Sequence, residues 1–372
     1  MKRIYLSLLM VLLILGGQTF SSSQGFVGLL EELFNVPSPT GYEGSMVSKI
    51  LKSIPEGYET FRDNLGSLYC RIGEGKADVA LLAGMDEHGY YVSGIQDDGY
   101  LTLDRVSGKH SLYDLYNIGH PVFIWTELGK RQGVLSLPSL HLASSETRRN
   151  LTGILSLNNA VVDIGAKNPE DVKTRGVKKL DAVTPWPEWT PLAQDKIAGH
   201  GIGLKSGIAA LAHIANELNG ADLSSGITLG WLAQTKFLRR RARKMAAMGA
   251  ARASAKLEVS RFVVIDTVMI DGADSSLVLG RGPVLLRGQD RGSTGFLEDR
   301  IISSAAEFNL PLQRINGLDS GLLNPFLSEG REVVGLFLPV KFKDTPGEVV
   351  DLRDVQVLIK LLSSAFLNGG GE

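Results

Sequence analysis

Residue types that do chemistry are thinly spread along this chain, and few stand in patterns that act alone. The densest charge cluster is Lys236-Phe237-Leu238-Arg239-Arg240-Arg241-Ala242-Arg243-Lys244, which is either a site for an anion or acidic partner or a solvated face, the latter being the expectation. Its spacing predicts a helix over 236–251, with Leu238, Ala242, Met245 and Met248 as the apolar stripe. No serine has the setting of an activated nucleophile: Lys205-Ser206-Gly207 and Asp319-Ser320-Gly321 both lack the flanking glycines of a strand-to-helix elbow. The single cysteine, Cys70, has no internal partner and lies in Ser67-Leu68-Tyr69-Cys70-Arg71-Ile72, a strand-like run, so its thiol is expected to be structural. Gly280-Arg281-Gly282-Pro283 has glycines suited to phosphate but not the strand–loop–helix context of a nucleotide loop. His200, next to glycines, reads as a loop histidine, and Trp186 and Trp189 read as a cap on a junction between modules rather than as a ligand platform.

The elements that must position these residues fall into two kinds. Residues 29–34 and 45–54 have helical spacing on either side of Pro37-Ser38-Pro39-Thr40-Gly41, and short strand-like runs follow at 67–72 and 79–83. From about 90 to 136, short strands alternate with turn signals such as Asp97-Asp98-Gly99 and Gly108-Lys109, the pattern of an all-β module. Beyond Pro185-Trp186-Pro187 helix and strand alternate. A helix over 206–218 puts Ile208, Leu211, Ala212, Ala215 and Leu218 on one face, and strands are predicted at 226–233, 261–265 and 333–338 with helices at 301–308 and 351–366. Such alternation predicts an α/β sheet with helices on both faces, built from 24–94 and 186–372, with a β-rich module inserted at 95–185.

With 372 residues, 44% of them hydrophobic, the chain can fill two cores. Its net charge of −1 gives no basic excess, which argues against nucleic acid or an anionic membrane as a partner of the whole surface. Lys2 and Arg3 precede an apolar stretch from Ile4 to Leu15 and a run of small residues ending at Ser23, the layout of a secretory signal peptide over 1–23. The expectation is an exported protein, membrane-attached only if that segment stays as an anchor. Gly369-Gly370-Gly371 reads as a frayed end.

Seven short motifs occur in order along the chain. They are Pro37-Ser38-Pro39-Thr40-Gly41-Tyr42-Glu43; Arg62-Asp63-Asn64-Leu65-Gly66-Ser67; Ala83-Gly84-Met85-Asp86-Glu87-His88-Gly89; Gly133-Val134-Leu135 with Pro138 and His141; Val162-Asp163-Ile164-Gly165-Ala166; Gly282-Pro283; and Thr345-Pro346-Gly347-Glu348-Val349-Val350-Asp351-Leu352. In these the chain resembles the tetrahedral (glutamyl) aminopeptidases from about Leu29 to Leu367. The resemblance implies a three-layer α/β/α peptidase-like domain interrupted by a β-rich lid and dimerisation domain, and a homo-oligomer assembled through that lid. It also implies peptide trimming at two zinc or cobalt ions bridged by a carboxylate, with a glutamate as general base.

Carried over position by position, that site is depleted. Gly84 stands where the family has its first histidine ligand, while Asp86, which orients the site, is kept. Gly203 falls at the bridging aspartate, Thr235 at the general base and Lys236 at the next carboxylate ligand. Asp266 keeps the family identity, and Asp344 replaces the last histidine. By extended-chain rise His88 lies roughly 13 Å beyond Gly84, too far to take over its role. The expectations are therefore no catalytic residue, no cofactor, and at most Asp266 and Asp344 as metal ligands, with Lys236 pairing with one of these acids. The function expected is that of an inactive aminopeptidase homologue, binding a peptide or protein or serving as a scaffold subunit. The alternative is a divergent exported hydrolase using Asp86, Asp266 and Asp344 with one oxygen-seeking metal or none.

Overall fold

A computed structural model describes residues 25–367, apart from 106–110, 138–143, 147–148, 150–156, 224, 242–243, 272–275, 288–294 and 317–319. The expected leader over 1–23, Gly108-Lys109, Pro138, His141, Ala242-Arg243, Asp319 and the Gly369-Gly370-Gly371 tail lie outside the described residues.

Four strands at the centre of an 11-stranded sheet run parallel, in the order Gly226–Leu232, Ala77–Gly84, Arg261–Met269 and Glu332–Lys341. Their sequences are almost continuously apolar, as strands covered on both faces must be, and every residue of Gly226–Leu232 is buried. Antiparallel strands extend the sheet at its two ends, Leu68–Ile72 and Glu59–Arg62 on one side and Val349–Asp351, Lys196–Ala198 and Thr190–Leu192 on the other. Helices 25–34, Gly44–Leu51, Ile202–Glu217, Phe296–Glu307 and Leu352–Leu367 pack on one face, in a core with Leu81, Leu229 and Val263. Helices Met248–Lys256 and Asn324–Ser328 cover the other, with Leu82, Phe262 and Phe326. Period-two alternation sends neighbouring strand residues to opposite cores and makes the domain three-layered.

The inserted module is a closed six-stranded barrel in the order Tyr90–Ile95, Leu101–Asp104, Val161–Asp163, Gly129–Ser136, Pro121–Thr126 and Ala182–Pro185. It takes in the strand Tyr90–Ile95, ahead of the expected boundary at 95, because Tyr90 and Tyr91 pair with Val183 and Ala182. Its last strand ends at 185, where Trp186 stacks on Phe123 and Trp189 meets Phe34 edge-on, so both tryptophans pack at the junction.

The predicted helix over 236–251 does not form. Leu238–Arg241 and Lys244–Ala247 pair as an antiparallel hairpin, and helix begins only at Met248. A helix would stack Arg239, Arg240, Arg243 and Lys244 at like-charge i, i+3 and i, i+4 spacings, which destabilise it, a penalty that strand geometry does not carry because neighbouring residues alternate between faces. The helix expected from 206 starts instead at Ile202, which draws Gly203 and Lys205 into its buried first turns.

Two other features settle as packing. The Gly280 and Gly282 amides donate to Asp354 at 2.8 and 2.7 Å, so that glycine turn holds a carboxylate of its own chain. Cys70 is fully buried, and burial pushes its thiol up to about 12.

Candidate functional site

Ligands of parallel α/β sheets bind beyond the carboxyl ends of the strands, and there the chain gathers the residues singled out from sequence. Gly84 ends its strand; Thr235 and Lys236 follow Leu232; Asp266 lies opposite Phe337 near the end of its own strand; Asp344 follows Lys341. Gly203 reaches the same place from the first turn of the helix Ile202–Glu217. Gln234 and Asp344 both take left-handed backbone, with φ of 53° and 60°, a conformation costly for side-chain-bearing residues and tolerated best by Asn and Asp.

Each glycine here is in close contact. A Cβ on Gly84 would lie 2.9 Å from Thr235 Oγ1, so the threonine fills the space a side chain at 84 would use. A Cβ on Gly203 would meet Thr267 Cγ2 and Val340 Cγ1 at 2.7 Å and Glu348 Oε1 at 2.9 Å. The Gly203 amide donates to that same Glu348 oxygen at 2.8 Å.

Asp86 is fully buried and its oxygens are taken by the protein. Oδ1 accepts from the Thr235 amide and hydroxyl, each at 2.5 Å, and Oδ2 from the Thr40 hydroxyl at 2.8 Å and the Lys236 amide at 2.9 Å. Lys236 is half-buried. Burial pulls its ammonium down, but the charges of Asp344, Asp266, Asp86 and Glu348 outweigh this and hold it above the ordinary lysine value. The expected pairing with Asp266 or Asp344 is therefore a field from several acids; among the described residues Lys236 has no contact ion pair within 4.0 Å.

Beside this centre sits a buried ion cluster that the sequence reading missed. Lys205, 1% exposed, donates to the Val36 carbonyl, Ser38 Oγ and Glu87 Oε1 at 2.7, 2.9 and 3.3 Å. His200 Nδ1 lies 3.6 Å from Glu87 Oε2 and its Nε2 lies 3.0 Å from Tyr113 Oη. Burial would raise the Glu87 carboxyl, but Lys205, His200 and the Ser38 amide bring it down to about 2. His200 is thus a buried bridge from the sheet domain to the barrel's helix Ser111–Asn117, not a plain loop residue.

His88 also reaches the site, with Nε2 3.8 Å from Asp344 Oδ1. The strand stops at Gly84, and the segment that carries His88 pairs instead with Ser38 and Thr40 through an isolated bridge of Pro39 to Glu87. Glu348 was legible only as part of a motif. Burial raises its carboxyl, against the pull of the Asp344 and Gly203 amides it accepts from.

A cleft of about 310 Å³ opens between Glu87, His88, His200, Lys236, Asp344 and Glu348, with room inside for little more than one water molecule. The donors around it do not fit a pair of divalent ions. Asp86, Glu87 and Glu348 already have their oxygens on protein donors, and Lys236 faces the remaining acids. Among the described residues no group of three His, Cys, Asp or Glu side chains could hold a metal.

With this geometry in view, comparison with known proteins places the chain. The family model for M42 glutamyl aminopeptidase matches residues 66–361. FrvX of Escherichia coli K12, itself assigned only provisionally as an aminopeptidase, is 26% identical over 352 residues, covering 90% of this chain and 93% of FrvX. The lysyl aminopeptidase of Pyrococcus furiosus is 23% identical over 346 residues, covering 90% and 94%. In fold, the chain is similar to the TET1 peptidase of Pyrococcus horikoshii, a protein that can assemble into a tetrahedron or a large octahedral shell. There the TM-score is 0.77 at 22% identity, covering 92% of this chain and 99% of that one. This chain belongs to the M42 glutamyl aminopeptidase family.

Proposed function

We propose that this protein acts by binding a peptide or protein, as an assembled aminopeptidase-like subunit that does not carry out two-metal hydrolysis. The observation behind this reading is the state of the carboxylates: a two-metal mechanism needs free anionic oxygens around both ions, and here the buried acids serve amides, hydroxyls and Lys205. Gly84, Gly203, Thr235 and Lys236 are on this reading the positions where a histidine ligand, the bridge, the base and a further ligand have been lost.

Assembly as a homo-oligomer through the barrel is supported by the shells that the similar TET1 peptidase forms, and by Leu128 and Leu180, which stand 68% and 64% exposed on the barrel's surface. Export rests on the Lys2-Arg3 and apolar pattern at the start of the chain.

The test is elemental analysis of the purified protein together with a screen of aminoacyl and peptide substrates, and light scattering for its mass. The expected outcome is a metal-free oligomer without aminopeptidase turnover. Stoichiometric zinc with metal-dependent turnover overturns the reading, and one equivalent of a hard ion with turnover favours a carboxylate-based hydrolase in its place.

A further inference from the structure

The cleft as it stands is too small for the ligand proposed for it. Ligand pockets bury most of their ligand, whereas this interior admits little more than one water molecule. On the reading that it takes a peptide, one of its walls must move. His88 and His200 line the cleft, and both are fastened to the barrel by Tyr113.

Tyr113 is 1% exposed, and its ring is held by the barrel: the Arg105 guanidinium lies 5.2 Å from its centroid, and Asn117 Nδ2 donates to its carbonyl at 2.8 Å. Its hydroxyl reaches the wall of the cleft, donating to the His88 carbonyl at 2.8 Å and lying 3.0 Å from His200 Nε2. A phenol has one hydrogen and a carbonyl can only accept. That hydrogen therefore lies toward His88, and the Nε2–H of His200 donates to Oη. On the sheet side Glu87, next to His88, accepts from Lys205 and the Ser38 amide at 3.3 and 2.8 Å. The Gly199 amide, next to His200, donates to the Glu348 carbonyl at 2.8 Å. Two stiff surfaces thus share one hydroxyl, and a contact of this kind is made or broken as a unit. We propose that Tyr113 is a latch: while both hydroxyl bonds hold, helix Ser111–Asn117 keeps His88 and His200 against the barrel and the cleft closed, and their joint release opens it to an extended polypeptide.

Carbethoxylation of histidines by diethyl pyrocarbonate, mapped by mass spectrometry on the full chain, tests this without any ligand, so it can fail while the binding reading stands. In the wild type His88 should react at least about tenfold more slowly than the exposed His120. Tyr113→Phe removes both bonds and keeps the ring, so it should speed His88 roughly tenfold, with His120 and the helix residue His213 unchanged. His88 is the reporter because the substitution frees the His200 Nε2 directly, whereas it touches only the carbonyl of His88. Should Tyr113→Phe not fold, His200→Gln and His200→Leu decide: the first keeps an N–H for Oη and a slow His88, and the second loses it and gives a fast one. A wild-type His88 as reactive as His120, an unchanged His88 rate in Tyr113→Phe, His88 and His213 speeding together, or equal His88 rates in the two His200 variants overturns the latch.

Discussion

At the level of single residues, Gly203 is where the proposed loss of the bridging acid and the packing argument meet. Putting an aspartate there would restore the acid that the resemblance asks for, yet its Cβ collides with Thr267 and Val340 and its charge lands beside Glu348. Gly203→Asp should therefore destabilise the protein by about 3 kcal/mol in urea unfolding, without creating metal affinity. A variant as stable as the parent would show that the helix start can shift. Lys205→Met should cost about 3 kcal/mol as well, because it takes the lysine charge from the buried Glu87 carboxylate and leaves it with His200 and the Ser38 amide. Some of the site was legible in the carry-over position by position: Asp86 and Thr235, named from sequence, are hydrogen-bonded to each other, and Lys236 and Asp344 line one cleft. Glu87, Lys205 and Tyr113 were not, since a buried ion cluster is made by residues 87, 113, 200 and 205, whose proximity no local spacing encodes.

At the level of elements, the four central strands were read from their apolar runs, while their order in the sheet and the short edge strands such as Glu59–Arg62 and Lys196–Ala198 were not, and the failure at 236–251 is instructive. Leu238, Ala242, Met245 and Met248 satisfy a helical stripe, but Leu238 also satisfies a hairpin in which it pairs with Ala247 and packs near Gly321. Charge repulsion along the basic run decides for the ribbon, a term that hydrophobic periodicity does not contain. The hairpin's base is tied by Asn324 Nδ2 donating to the Met245 carbonyl at 2.7 Å and the Ala247 amide donating to Gly321 at 2.9 Å. Asn324→Ala should thus speed hydrogen exchange at Ala246 and Ala247 by roughly tenfold, about 1.4 kcal/mol of local opening, while strand Gly226–Leu232 keeps its protection. Unchanged exchange in the hairpin would assign its order to other contacts.

For the molecule as a whole, buried carboxyls set how stability varies with pH. Burial raises Glu43 and Asp354 to about 7, from ordinary values of 4.5 and 3.8, so between those limits the folded state holds protons that the unfolded chain has released. Stability from these two groups falls as pH rises toward about 7. Glu87 has the opposite sign: its carboxyl is held at about 2, so its contribution is complete above its unfolded value of 4.5 and lost as pH drops below it. Urea unfolding from pH 3 to 8 should show the contribution of these three groups peaking near about pH 4 and falling toward about pH 7, and stability that rises from pH 5 to 7 would contradict these assignments.

The strand order has a consequence for how the chain is made. Strand Ala77–Gly84 is flanked by Gly226–Leu232 and Arg261–Met269, and the fourth central strand, Glu332–Lys341, comes later still. At ribosomal speeds of 5–20 residues per second, Ala77–Gly84 waits roughly 10–40 s for Arg261–Met269, the later of its two partners, whereas every strand of the barrel has been synthesised by residue 185. The barrel can close while the first strands of the sheet are still bare, which makes the nascent chain, more than the finished protein, the form that needs guarding against aggregation.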